Sequence, residues 1–195
     1  MRKIRGNKEY IIIEAALKAF KEYGFYEATI ARIAEIAEVG KGTIYEYFDS
    51  KKQLFEKSIV YIKEKFIEDA REIVKEEKEV RKKFILLAKY HGSFMEEYAT
   101  TTEIILSNSN FLSREMIDSM MDIRKGIYDF FMTLIDEGIA QGEIRDDINQ
   151  KILLLNIWGG VMSNYHERIF FEKNKAEDIR AEDIINTIFE GVGKR

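Results

Sequence analysis

The sequence contains no cysteine and no proline, and only two of its 195 residues are histidine. Without cysteine there is no disulfide framework and no thiolate zinc site, and the cytoplasm is the expected location. His91 and His166 have no neighbouring ligands at metal-site spacing, so neither a metal nor another cofactor is expected. The absence of proline favours long helices with short connections, because no residue lacks a backbone donor.

Signals for membranes, secretion and catalysis are also missing. No apolar run approaches the roughly 20 residues that span a bilayer, and no membrane partner is expected. The basic N-terminus precedes a charged helix and not the short apolar region of a signal peptide. There is no glycine-rich phosphate loop, nucleophile elbow or motif-placed carboxylate pair, so we do not expect an enzyme.

The charge of the chain is unevenly distributed. Its formal net charge is −4, but residues 1–57 hold eleven Lys and Arg against nine Asp and Glu. A mildly basic N-terminal segment on an acidic chain fits a local nucleic-acid surface, although a difference of this size also arises by chance.

Apolar residues recur at helical spacing through the whole chain, and no segment alternates like a strand. We therefore predict an all-α fold. The predicted helices cover residues 8–23, 30–37, 41–48, 50–74, 113–140, 148–171 and 181–193, and residues 84–106 contain one or two more. We expect Gly24 to end the first helix in the left-handed region, and residues 76–83 to form a solvated, charge-rich turn.

Residues 29–48, TIARIAEIAEVGKGTIYEYF, have the spacing of a helix-turn-helix motif. Thr29 is a candidate N-cap of the first short helix, and Gly40 lies where the chain reverses direction. Ile44 and Phe48 should face inward on the second short helix. That helix is thin enough to enter the major groove of DNA.

Polar residues predict the starts of two later helices. Ser50 and Gln53 have the S-x-x-Q form of a capping box for the long helix that follows. Asp147 and Gln150 have the spacing of a similar cap for the helix predicted at residues 148–171.

The first 55 or so residues resemble the N-terminal domain of the TetR family of transcriptional regulators, at the family's spacing and without a gap. Residues 134–147 also resemble the family's link between its seventh and eighth helices, and the length suits a member with about nine helices. The residues that carry the resemblance are Ile12, Ala15, Ala16, Phe20, Gly24, Thr29, Ile33, Ala34, Ala37, Val39, Lys41, Gly42, Thr43, Ile44, Tyr45, Tyr47, Phe48, Ser50, Lys51 and Leu54.

The resemblance implies a helix-turn-helix DNA-binding domain at residues 1–50, and a larger helical domain for effector binding and dimerisation at residues 51–195. It also implies a homodimer on a palindromic double-stranded operator. Arg2, Lys3 and Arg5 either form an arm for the minor groove or a disordered tail. The residues expected at the DNA are Thr29, Lys41, Gly42, Thr43, Tyr45, Tyr47 and Lys51, with Lys41 and Lys51 at phosphates. The alternatives are that Tyr45 or Tyr47 only packs the small domain and that Lys41 or Lys51 is an ordinary solvated charge.

Glu38, Gly40 and Glu46 depart from the family pattern. Glu38 stands in the turn, where the family commonly has a small residue, usually glycine. Gly40 supplies no hydroxyl to cap the recognition helix. Glu46 brings a carboxylate close to phosphates, which is unfavourable unless it accepts a hydrogen bond from cytosine N4. The base contacts of relatives therefore should not be transferred to this chain.

Two predictions concern the C-terminal domain. Its last two helices should form the dimer interface through Leu155, Gly159, Gly160, Ile184, Ile185, Ile188 and Phe189; the alternative is that they pack only within their own chain. Aromatic and Met residues with polar neighbours either line a pocket for a small apolar effector or form ordinary core. These residues are His91, Phe94, Met95, Tyr98, Met120, Phe130, Phe131, Trp158, Met162 and Tyr165.

The sequence thus favours a ligand-responsive, sequence-specific regulator, with repression as the family's common mode. A fatty acyl thioester is one effector among several that would suit an apolar pocket. The alternative is a helical protein-interaction module that does not bind DNA.

Overall fold

The computed structural model describes residues 8–99, 101 and 113–191. These residues are helical and contain no strand, which confirms the all-α prediction. None of the described helices is long and apolar enough to cross a membrane. The predicted arm residues Arg2, Lys3 and Arg5 lie outside the described residues. Within the described residues, the α-helices with defined bounds are α1 Lys8–Glu27, α2 Ile30–Ile36, α3 Lys41–Tyr47, α4 Lys51–Val74, α5 Val80–Glu97, α6 Arg114–Ala140, α7 Gln150–His166 and α8 Ala181–Glu190.

The chain forms two compact units, and α4 and α6 each contribute residues to both. Unit 1 consists of Met1–Lys65 and Tyr98–Asp122, and unit 2 consists of Phe66–Glu97 and Ile123–Arg195. The predicted domain boundary between residues 50 and 51 stays a prediction.

The core of unit 1 is built around three interlocking phenylalanines. The rings of Phe20, Phe25 and Phe55 lie 5.1 to 5.7 Å apart between centroids. Gly24 makes this packing possible, because its φ of 71° turns the chain so that Phe25 folds back onto Phe20. The positive φ was predicted, but ψ is 173°, so Gly24 is not in the left-handed helical region.

The turn of the helix-turn-helix motif contains one residue with a positive φ, Glu38, at 54°. Gly40 has an extended conformation at the N-cap of α3, where no side chain caps the helix. Ile44 and Phe48 are buried as predicted.

The predicted cap of α4 is present. The Ser50 hydroxyl accepts a hydrogen bond from the Gln53 backbone N–H at 3.1 Å. In return the Gln53 side chain accepts from the N–H of Asp49, one residue before the position that a capping box uses. A cap fixes where α4 begins, and with it the direction in which the chain leaves α3.

The prediction of a solvated turn at residues 76–83 is wrong for its second half, because α5 begins at Val80. The Glu143 carboxylate caps this helix by accepting from the backbone N–H groups of Val80 and Arg81, at 2.9 and 3.0 Å. Lys83 is buried, and its ammonium donates to both carboxylate oxygens of Glu137. The charges of this segment therefore hold unit 2 together.

The beginning of α7 also differs from prediction. Asn149 is the N-cap, with its side chain accepting from Ile152 N–H at 3.1 Å, whereas the Gln150 side chain donates to Asp136. The regular helix ends at His166, and residues Glu167–Phe171 form a π-helical turn.

A close approach between α5 and α7 requires a glycine. A Cβ atom on Gly92 would overlap the ring of Tyr165, which is fully buried. Burial raises the pKa of Tyr165 to about 12. Its hydroxyl has no hydrogen-bond partner among the described residues.

Candidate nucleic-acid interface and ligand cleft

The outer face of α3 is open and chemically varied. Lys41, Tyr45, Glu46 and Tyr47 are exposed, and Tyr45 keeps 56% of its surface accessible. Gly42 is exposed too, and a Cβ added there would meet nothing within 4 Å. The helix thus presents one ammonium, two phenolic hydroxyls and one carboxylate. At Gly42 it has no side chain at all.

Two other predicted residues have roles in the local structure. Thr43 is half-buried, and its backbone N–H donates to Gly40 O at 3.0 Å. The Thr29 hydroxyl caps α2 by accepting from Arg32 N–H at 3.3 Å. This cap fixes the N-terminus of α2, where unpaired backbone N–H groups can bind an anion.

Lys51 has a structural role that the sequence did not reveal. Its ammonium donates to the backbone oxygens of Phe25 and Tyr26, at 2.8 and 3.0 Å, and lies 4.7 Å from the centre of the Phe25 ring. Burial lowers its pKa. Because two of its three N–H groups are occupied, Lys51 fastens the start of α4 to the α1–α2 connection and has one donor left for a phosphate.

Unit 2 contains an apolar cleft that encloses about 310 Å³, part of it open to solvent. It lies among residues of α4, α5, α6 and α7, and no carboxylate, Lys or Arg is among the residues that line it. Those residues are Phe66, Phe84, Leu87, Ala88, His91, Phe131, Ile157, Trp158, Val161 and Met162. The lining favours an apolar group over a charged one, because a buried charge there would have no counter-ion.

Four of the ten predicted pocket residues line this cleft: His91, Phe131, Trp158 and Met162. Phe94, Met95, Phe130 and Tyr165 belong to the same unit without lining it. Tyr98 and Met120 belong to unit 1, and Met120 packs against its core.

Six lining residues were missed by sequence reasoning. They are Phe66, Phe84, Leu87, Ala88, Ile157 and Val161. The prediction selected aromatic and Met residues on the central helices, whereas four of the six missed residues, Leu87, Ala88, Ile157 and Val161, are aliphatic. Helical spacing offered a signal, since Phe84, Leu87, Ala88 and His91 recur at the i, i+3, i+4 and i+7 positions of one helix face.

The predicted dimer residues separate into two groups. Leu155 and Gly159 are exposed on α7, and Ile152 and Met162 extend them into one apolar stripe at spacings of three and four residues. Gly160 is half-buried, since a Cβ there would lie 3.3 Å from Ile188.

The α8 residues of the prediction mostly pack inside their own unit. Ile184 and Ile185 are buried, and Ile188 and Phe189 are half-buried against the same core. Arg81 lies beside this helix, where it pairs with Glu190 and donates to the Asn186 side chain.

Comparison with known proteins identifies this arrangement. Residues 12–57 match the family described as bacterial regulatory proteins, tetR family, and residues 63–193 match the C-terminal region of QacR-like proteins. The chain belongs to the TetR family. It is therefore a DNA-binding transcriptional regulator, as the resemblance of its first 55 residues indicated.

Relatives match this TetR-family chain along most of its length. The fatty acid metabolism regulator protein of Bacillus subtilis strain 168 is 31% identical over 156 residues, which cover 77% of each chain. The structure of the fatty acid degradation regulator FadR from Bacillus halodurans has a TM-score of 0.75 at 21% identity, and covers 94% of this chain and 98% of its own.

A further structure is that of FadR from Bacillus subtilis in complex with stearoyl-CoA. It has a TM-score of 0.69 at 24% identity, and covers 92% of this chain and 95% of its own. Both structures show that the TetR-family fold extends through unit 1 and unit 2.

Proposed function

We propose that this TetR-family regulator is a repressor that binds a palindromic operator as a homodimer and leaves it when an apolar effector enters the cleft. The observation that carries the proposal is the combination of an open outer face on α3 with an uncharged, apolar cleft in unit 2. The first can contact DNA, and the second can hold an effector. A DNA operator as partner also implies a cytoplasmic location.

We assign α3 to the major groove. Tyr45 and Thr43 flank its outer face and are placed to reach base edges or phosphates, and Tyr47 donates its hydroxyl to a phosphate. Lys41 lies at the start of α3, and its exposed ammonium group can contact a phosphate of the DNA backbone. Gly42 allows α3 a close approach, because it has no side chain in that open space.

The contacts flanking α3 come from two helix starts. Thr29 caps the N-terminus of α2, and Lys51 lies at the N-terminus of α4. The Lys51 hydrogen bonds to the backbone oxygens of residues 25 and 26 keep these two helix starts close to one another. Both helix starts carry partial positive charge that suits phosphates.

The exposed α7 stripe supports the proposed dimer. Ile152 and Leu155 keep 56% and 54% of their surfaces accessible, and with Gly159 and Met162 they would be covered by the same stripe of a second copy. Ile184 and Ile185 support this packing from behind, since they are already buried in their own chain. Two-fold symmetry then requires a palindrome with recognition helices about 34 Å apart.

We propose a fatty acyl derivative as the effector. The cleft is apolar and its lining residues carry no Lys or Arg, so it suits an acyl chain with the polar head kept outside. A relative that is 31% identical is named for fatty acid metabolism. The space of about 310 Å³ between the lining side chains includes open solvent, so a long acyl chain must widen the cleft.

That widening provides the proposed link to DNA binding. Phe66 of α4 lines the cleft, and α4 runs from there to Lys51 in unit 1. An effector regulates only if it binds the DNA-competent and DNA-incompetent states differently. Displacement of Phe66 by the effector would favour a state in which α4 no longer holds the recognition helices at the separation that the operator requires.

Selection of bound sequences from random DNA, followed by footprinting, tests the proposal. Wild-type protein should enrich a palindrome with half-sites one helical turn apart. The Leu155→Glu variant should sediment as a monomer and lose most of its affinity, while Lys151→Glu, an exposed change next to the stripe, should leave both properties intact. Failure to enrich any sequence would contradict the proposal and favour a protein-interaction module.

A further inference from the structure

Glu46 is the most outward residue of α3 with a side chain. With about 100° between successive helical residues, Glu46 and Gly42 each lie about 160° from the buried Ile44. Thr43 and Tyr45 lie about 100° away, at the sides of the helix. The outer face of α3 is therefore centred on one carboxylate and one missing side chain.

The Glu46 carboxylate has no hydrogen bond and no ion pair with any described residue. Gly42 precedes it by one helical turn, and a Cβ at Gly42 would meet nothing within 4 Å. Gly42 therefore places no side chain beside Glu46 that would keep its carboxylate away from a surface on which α3 lies.

A carboxylate at this position meets two opposite electrostatic effects on DNA. Phosphates repel it at every sequence. In the major groove it gains from an amino group, and the cytosine N4 amino group is the donor that Glu side chains accept from. Adenine also offers an amino group, but its neighbouring N7 is an acceptor that repels a carboxylate.

We propose that Glu46 is a specificity-determining residue that accepts a hydrogen bond from the N4 amino group of a cytosine in each half-site. The inference rests on the proposed placement of α3 in the major groove. It gives Glu46 two effects: attraction to one C·G pair, and a penalty on all sequences that lack a donor at that place.

The two effects predict different results for two substitutions. Glu46→Ala removes the acceptor, so discrimination at one base-pair position should fall by about 5-fold to 150-fold. Glu46→Gln replaces the carboxylate with an amide that pairs with adenine N6 and N7, so the preferred base at that position should change from cytosine to adenine. Both should increase non-specific binding by about fivefold at low salt.

Glu64→Gln provides a control with the same change of charge. Glu64 is exposed on α4, about 20 Å along the helix from Lys51, and it also has no partner among the described residues. Glu46 and Glu64 are both exposed, so all three variants should fold, and their melting temperatures check this.

The experiment is selection from random DNA with the wild type and the three variants. A wild-type motif with one fixed C·G pair per half-site, relaxed in Glu46→Ala, changed to A·T in Glu46→Gln and unaltered in Glu64→Gln, supports the proposal. An enriched wild-type motif that both Glu46 variants share at every position overturns it and leaves the proposed function intact. No enriched motif for the wild type overturns both.

Discussion

Aromatic residues build both units of the chain, but they do so differently. In unit 1 the rings of Phe20, Phe25 and Phe55 close on one another and leave the tyrosines of α3 at the surface. In unit 2 Phe131 and Trp158 pack edge to face, with centroids 5.1 Å apart, and nevertheless border an open cleft.

The difference suits the two proposed tasks. A closed core holds the backbone of α2 and α3 in one arrangement, which a fixed spacing of DNA contacts requires. An effector response requires a second arrangement of similar free energy, and the proposed place for that rearrangement is the cleft. Substitutions that stress either unit test whether this difference is real.

The largest expected effect is on unit 2. Gly92→Ala should lower the free energy of unfolding by about 3 kcal/mol, because its Cβ would overlap the buried ring of Tyr165. Trp158 is the single tryptophan and lies in unit 2, so its fluorescence during urea unfolding reports on this unit.

Gly126→Ala is the control, since a Cβ on this helical glycine of α6 would meet nothing within 4 Å. It should stabilise the protein by up to about 1 kcal/mol. Equal unfolding curves for the two variants would mean that the α5–α7 contact is loose.

The next effect is on unit 1. Lys51→Ala should reduce stability by about 2 kcal/mol, because it leaves the Phe25 and Tyr26 carbonyl oxygens without their charged donor. Far-UV circular dichroism during urea unfolding measures this. Lys51→Ala should also weaken DNA binding at every sequence and flatten its salt dependence.

Lys41→Ala separates the two roles of Lys51. Lys41 is exposed on α3, so its loss should reduce the salt slope of DNA binding by about 1 and leave stability unchanged. If Lys51→Ala unfolds at the same urea concentration as Lys41→Ala, the hydrogen bonds of Lys51 do not stabilise unit 1 and its structural role is wrong.

The smallest effect concerns Tyr165. Tyr165→Phe should stabilise the protein by about 1 kcal/mol at pH 8, because it removes a buried hydroxyl without a partner among the described residues. Burial raises the folded-state pKa of Tyr165 to about 12, whereas the unfolded value is near 10. Between pH 10 and pH 12 the unfolded chain therefore loses the Tyr165 proton more readily than the folded protein does. The wild type is then less stable than it is below pH 10.

Urea unfolding of both proteins between pH 8 and pH 12 measures this. The advantage of Tyr165→Phe over the wild type should grow above pH 10. A constant difference would indicate that solvent reaches the Tyr165 hydroxyl.

Local sequence signals predicted the features that depend on neighbouring residues. Ser50 caps α4 as predicted, and Ile44 and Phe48 face inward, because each depends on helical spacing alone. Asn149 was missed as the cap of α7 because Asp147, two residues earlier, offered an equally good pattern. The charged segment at residues 80–83 was misjudged because its partners, Glu137 and Glu143, are more than 50 residues away.

The functional sites show the same limit. The exposed face of α3 follows from a single periodic segment, whereas Lys51 acquires its role from carbonyl groups 25 and 26 residues earlier. The cleft depends on how four helices meet, so sequence reasoning found His91, Phe131, Trp158 and Met162 but not Phe66 or Ala88. Spacing predicts which side chains are buried, and it does not predict where packing leaves space.

The proposed mechanism can be tested by titrating the operator complex with a long-chain acyl-CoA while fluorescence anisotropy measures DNA affinity. The wild type should lose at least about tenfold in affinity, within the usual range of allosteric coupling. Ala88→Leu, which fills the cleft, should bind DNA as the wild type does and not respond, while Ala140→Leu on the exposed end of α6 should respond normally. Equal release of the wild type and Ala88→Leu would contradict control by this cleft.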